Sequence, residues 1–209
     1  MNIIIFGSTG MVGKQLVKQA LFDGHTVKAF GRNVFTELDK DTKNLELVKG
    51  ALFDAGEVAK AIKGCDAVLS ALDGGMDSND KTRTLGIKNI IAQMKKNGVN
   101  RIIALGDAAI LNADEDALLM DHEDFPKEKI PVAEEHKHAW QYLKQSGLDW
   151  TLVCPGRIVD HDATGSFTTN ANYLPSPDND KIYSGDIALF MLKEMQQDNF
   201  VQQRVGISN

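Results

Sequence analysis

Residues 3–13 read IIIFGSTGMVG: four apolar residues, then glycines at positions 7, 10 and 13. An isoleucine-rich run bounded by glycine is expected of a short strand buried on both faces. Behind it, Val12, Leu16, Val17, Ala20 and Leu21 recur at helical spacing, and Gly24 suits the helix end. The stretch therefore predicts strand, tight turn, helix. Gly7 permits the turn, Gly10 lets the backbone approach a pyrophosphate closely, and Gly13 lets the helix pack against the strand. A helix N-terminus adds free N–H groups and a partial positive charge for an anion. Ser8 and Thr9 are expected to add hydroxyl donors, and Met11 and Val12 complete the cradle as the first helical residues.

The same alternation continues outward. Residues 26–30, 45–48, 66–72, 101–105, 150–154 and 204–207 read as further strands. Residues 57–62, 84–96, 132–145 and 186–196 read as helices between them. Strands joined through helices imply crossover connections. The expected fold is therefore α/β: a Rossmann-type, doubly wound, mostly parallel sheet with helices on both faces. One domain over residues 1–209, with a short C-terminal substrate region, accounts for the whole chain. Two stretches, 107–130 and 157–183, resist the pattern, and both follow strand ends. In open parallel sheets ligands bind beyond the carboxyl ends of strands, so both are expected to wall a substrate site.

The 209 residues are 43% hydrophobic and carry a net charge of −6. That balance disfavours nucleic acid and anionic membrane as partners and leaves a small-molecule acceptor. No apolar run is long enough to span a bilayer and no basic leader is visible, so a cytoplasmic protein is expected. Cys65 and Cys154 lie within apolar runs and read as buried free thiols. Asp77, Asp80 and His161 stand near strand ends without metal-ligand spacing, and no metal is assigned.

The second strand bears on the choice of cofactor. It ends in AFGRN, with Arg32 and Asn33 where an NAD site usually places an acid, and no carboxylate follows until Glu37. An arginine there can grip a 2′-phosphate, and no acid repels it. NADP(H) is therefore expected over NAD(H).

These residues resemble the short-chain dehydrogenase/reductase superfamily in its NmrA-like branch. GSTGMVG is similar to that branch's G-x-x-G-x-x-G, and YLKQSGLDWTLVCPGRI to the segment that forms part of its nicotinamide pocket. ALFDAGEVAKAIKGCDAVLSAL and SGDIALFML are similar to two further segments of the branch. The resemblance implies that Phe53 and Asp54 lie beside the adenine and that Ser70, Ala71 and Leu72 run past the cofactor. It also places Pro155, Gly156 and Arg157 at the nicotinamide end, where Arg157 can reach a phosphate. Within the branch the chain looks most like flavin reductases of the biliverdin reductase B type and bacterial NADH-flavin reductases.

One feature of the superfamily is missing. Its catalytic Tyr, followed four residues later by Lys, falls here on Val132 and His136. After the fifth strand, Asp107 stands where a Ser is usual. Hydride transfer to an acceptor needing little acid help fits best: a flavin, taken as substrate rather than as a bound prosthetic group, or a quinone or similar conjugated molecule. His136 and Asp107 are the candidate catalytic residues; a solvated helical histidine and a turn-capping aspartate are the plainer alternatives. A non-enzymatic NADP(H) sensor of the NmrA-like type is the competing reading. A sugar-nucleotide epimerase or dehydratase is weakened by the missing pair and by only about fifty residues after Gly156.

Overall fold

Ile3, Ile4, Ile5 and Phe6 are completely shielded from solvent. They form β1 (Asn2–Phe6) at the middle of an eight-stranded sheet. The computed structural model describes residues 1–74, 80–176 and 179–209. After β1 come α1 (Met11–Phe22), β2 (Thr26–Gly31), α2 (Val34–Glu37), β3 (Leu45–Lys49), α3 (Ala55–Ile62) and β4 (Ala67–Ser70). Then follow α4 (Thr82–Asn97), β5 (Arg101–Leu105), α5 (Ile130–Lys144) and β6 (Asp149–Pro155). The last elements are β7 (Arg157–Val159), β8 (Thr168–Ala171), β9 (Lys181–Tyr183), α6 (Ser184–Gln197) and β10 (Gln203–Ser208).

The strand order is β3-β2-β1-β4-β5-β6-β10-β8, parallel except for β8, which runs antiparallel to β10. Ile3 pairs with Val27 of β2 on one side and Ala67 of β4 on the other. The order thus reverses at β1, and a crevice opens there above the carboxyl ends. Strand alternation divides the core in two. Ile4, Phe6, Val68 and Ile102 face α3, α4 and α5, which contribute Ile62, Ile90 and Leu143. Ile3, Ile5, Leu69 and Ile103 face α1 and α6, which contribute Leu16 and Met191. Helices therefore cover both faces, and the fold is the doubly wound α/β class.

Three expectations need correction. β4 is shorter than residues 66–72 because β1 turns away at Gly7, and the bond from Ala71 N to Phe6 O is the last along that edge. The stretch 157–183 is not irregular. It holds β7 and β9, which pair with each other, and β8, the outer strand of the main sheet. These segments are three or four residues long, and β8 is polar and at least partly exposed, so no apolar period announces them. The stretch 107–130 carries three 3-10 turns, Ala108–Ile110, Leu119–Asp121 and Lys127–Lys129.

Both stretches are pinned to the core by buried charges. The Arg204 guanidinium of β10 lies 4.0 Å over the Trp140 ring and donates to the Ile110 carbonyl and to Asn112 Oδ1. Asp186, fully buried at the start of α6, accepts from Thr164 N, Thr164 Oγ1, Gly165 N and Asn209 Nδ2, each at 2.8 Å.

Candidate functional site

The glycine turn separates what the chain needs from what a ligand needs. Gly7 has φ +74, in the left-handed region, and a Cβ there would overlap the Ala71 carbonyl oxygen. A Cβ on Gly13 would overlap the Gly7 carbonyl oxygen. Both are demanded by the protein's own packing. Gly10 is different. Its φ of −75 suits any residue, and a Cβ would find nothing nearer than Gly7 O at 3.4 Å. No contact among the described residues requires a glycine at position 10; a ligand in the open space above it would. Gly10 caps α1, and the N–H groups of Met11, Val12 and Gly13 open the helix, where such groups have no intrahelical partner. A pyrophosphate fits this cradle.

A cavity of about 420 Å³ spreads from the turn across the ends of β1, β2 and β4. Gly7, Thr9, Gly10, Arg32, Phe53, Ala71 and Leu72 all line it. Arg32 is exposed, and its side chain has no hydrogen bond or ion pair to another described residue. Phe53 leaves 59% of its surface open, which provides an apolar face for a flat base. The loop of Gly50, Ala51 and Leu52 also lines the cavity, a contribution that sequence reasoning missed. Its signal was present as an acid pair that caps α3. Asp54 Oδ1 accepts from Glu57 N at 2.8 Å, and Glu57 Oε2 accepts from Ala51 N at 2.6 Å.

Several of the expected cofactor residues do not line this cavity. Ser8 is fully buried and its hydroxyl donates to the Phe30 carbonyl at 3.3 Å, so it ties the turn to β2 instead of facing a phosphate. The Val12 side chain packs in the α1–α6 core. Asp54 is occupied as the α3 cap and does not line the cavity. Met11 is 47% exposed at the helix start. Asn33 precedes α2, where its carbonyl accepts from Thr36 Oγ1. Ser70 is buried at the end of β4, and its hydroxyl has no partner among the described residues. Pro155 is buried within β6. Of the metal candidates, Asp77 lies outside the described residues. No group of three or more metal-ligating side chains occurs among the described ones.

A second cavity, of about 600 Å³, opens over β5 and β6. The two stretches expected as walls meet around it. Leu119, Phe125 and Lys129 come from one, and Arg157, Leu174 and Asp180 from the other. Asp107, Val132 and Gly156 complete the floor. Asp107 combines both readings made of it. It lines the cavity, and its Oδ1 accepts from Ala109 N at 2.8 Å to cap the 3-10 turn. Burial raises its pKa, against the opposing Ala109 hydrogen bond and the charges of Lys129 and Arg83.

His136 does not match either reading made of it. The ring is 7% exposed, on the core side of α5, and lines neither cavity. Burial, then the charge of Arg83, lowers its pKa from 6.5 to about 3. The imidazole is therefore neutral near pH 7 and is no reservoir of protons. In the unfolded chain the same group takes up a proton below pH 6.5, so stability falls as pH drops from 6.5 toward 3. The full window corresponds to a loss on the order of 4 kcal/mol. Denaturant unfolding of wild type and His136→Gln across that range checks this. The variant is expected to show the shallower slope, and parallel slopes would remove His136 as the cause.

Glycine turn, strand order and flanking cavities together define a dinucleotide-binding protein. The chain belongs to the NAD(P)H-binding family, whose model matches residues 7–198. It is 29% identical to the uncharacterized protein YwnB of Bacillus subtilis (strain 168) over 215 residues, covering 99% of this chain and 98% of that protein. A 2-alkyl-3-oxoalkanoate reductase of Stenotrophomonas maltophilia (strain K279a) is 30% identical over 108 residues, 49% of this chain and 32% of its own. Among solved structures, one from Burkholderia pseudomallei, described as a candidate exported protein, superposes with a TM-score of 0.87 at 29% identity over the whole of both chains. A candidate NADH-flavin reductase from Streptococcus pneumoniae TIGR4 shares the fold, with a TM-score of 0.83 and 23% identity over 100% of this chain and 99% of that one. No helix among the described residues is long and apolar enough to cross a membrane.

Proposed function

We propose that the protein is an NADPH-dependent oxidoreductase that passes hydride to a flat conjugated acceptor, a flavin or a quinone, taken as a substrate. The observation that carries the reading is the pairing of two cavities along one edge of the sheet. One lies over a glycine that no contact among the described residues requires, and the other over the ends of β5 and β6. When bound, the dinucleotide supplies the hydride. The chain's own residues bind and orient. The α1 N-terminus and Gly10 hold the diphosphate, Phe53 faces the adenine, and Arg32 reads the 2′-phosphate. Leu119, Phe125 and Leu174 shield the second cavity from water and give a planar acceptor an apolar wall. At the Tyr and Lys positions expected from the superfamily, α5 offers Val132 and His136, which suits an acceptor that spreads its charge over a ring. The protein is assigned to the cytoplasm, where the buried thiols Cys65 and Cys154 stay reduced.

Acceptor-dependent oxidation of NADPH by the purified protein tests the reading. The same experiment separates it from the NADP(H)-sensor alternative, which binds the dinucleotide and oxidises none. Cofactor choice has its own test. Arg32→Ala is expected to weaken NADPH by about 1.5–3 kcal/mol, the range for hydrogen bonds to charged groups, and to leave NADH nearly untouched. Titration of both dinucleotides by fluorescence measures it, and equal losses would show that Arg32 does not read the phosphate.

A further inference from the structure

We propose that Asp107 is the proton donor of the acceptor cavity, and that the acceptors it serves are conjugated carbonyls, quinones or enones, whose oxygen collects charge as hydride arrives. The proposal rests on the reductase reading above and narrows its substrate class. Position comes first. Asp107 follows β5 directly and lines the cavity that spans the ends of β5 and β6. Orientation comes second. The hydrogen bond from Ala109 N holds Oδ1, and Oδ2 has no hydrogen-bond partner among the described residues. The carboxyl is thus fixed on one side and open on the other, as a donor to a bound oxygen must be.

The third observation is what surrounds it. His122, Asp124, Lys129, Arg157 and Asp180 are the other ionisable side chains of the wall, and all are exposed. Asp107 alone among them is half-buried. Arg83 on α4 and Lys129 favour its ionised form, Asp73 after β4 opposes it, and the Cys154 thiol on β6 is a buried neighbour. Desolvation outweighs the two cations, so the proton is held more tightly than on an ordinary carboxyl. The exposed Asp124 and Asp180 have no such shelter from solvent.

The step balances. The acceptor gains a hydride, two electrons and one hydrogen, at one end of its conjugated system. Its oxygen takes the proton from Asp107 Oδ2, and the carboxylate left behind is reprotonated by water at the cavity mouth. One dinucleotide is oxidised for each carbonyl reduced to a hydroxyl or enol.

Asp107→Asn is the test, because the amide oxygen can still accept from Ala109 N and keep the turn capped. Expected results are NADPH affinity and thermal stability close to wild type, and kcat on a benzoquinone or a cyclic enone reduced about 100-fold or more. The loss with a flavin, which delocalises the charge, is expected to be about tenfold or less. Wild-type rate on the carbonyl falls as pH rises through the Asp107 pKa, and this limb disappears in the variant. Carboxyl carbon NMR of the cofactor-free protein gives a readout independent of turnover: Asp107 titrates above the ordinary carboxylate range. Carbonyl turnover within about threefold of wild type with the same alkaline limb overturns the proposal, as does an Asp107 that titrates at or below that range. Wild-type protein that binds NADPH yet oxidises it with no acceptor overturns the reductase reading itself, and this inference with it.

Discussion

Gly10→Val is expected to abolish binding of both NADPH and NADH while the protein stays folded. A branched side chain would stand where the diphosphate must approach the backbone. Nothing among the described residues resists it. The backbone at φ −75 and ψ 173 suits valine, and a Cβ there is 3.4 Å from its nearest neighbour, Gly7 O. The cost to folding is confined to a poorer helix N-cap, about 1 kcal/mol. Calorimetric titration beside a denaturant unfolding curve reads both quantities. Normal NADPH affinity in this variant would overturn the placement of the cofactor.

Gly13→Ala, three residues on, is expected to do the opposite first. Its Cβ would overlap the Gly7 carbonyl and press on Ser8 Cα at 2.8 Å. Both are backbone atoms, so no rotamer change relieves the contact. Either α1 moves off the turn or the turn opens, and each disturbs the packing of Leu16 and Val17 under β1. A loss of about 3 kcal/mol or more is expected in urea unfolding. Unchanged stability would mean that the close approach of α1 to the turn is not needed.

These two glycines show why some of the site was legible and some was not. Strand, glycine turn and helix are local, and their periodicity and spacing placed β1, the turn and α1. Arg32 was legible because it follows a strand end at a fixed offset from the turn, and the structure brings it to the cavity wall. Ser8 was misread because a hydroxyl in a glycine turn has two possible directions, and only the nearby Phe30 carbonyl decides between them. Asp54 shows another part that the sequence left unseen, since its Oδ1 caps α3. His136 hid for a different reason. Its flanking residues Lys137 and His138 look like a solvated face, yet position 136 stands about one turn from both Ala133 and Ala139 and shares their buried face. In 157–183, β7 and β9 find each other across more than twenty residues and β8 takes its place from β10, so no local pattern signals them.

The single-sided pairing of β8 divides the molecule into two regimes. β1, flanked by β2 and β4 and shielded on both faces, carries the glycine turn on the most deeply supported part of the sheet. Among the described strands β8 pairs with β10 alone, through four residues that stay at least partly exposed, and Leu174 and Asp180 beyond it line the second cavity. Displacing that rim costs local contacts and leaves the cradle in place. Under the proposed reductase reading, cofactor fidelity and acceptor range are therefore separable traits in this fold: substitutions on the rim would reshape which molecules are reduced, while the centre of the sheet would hold constant what reduces them.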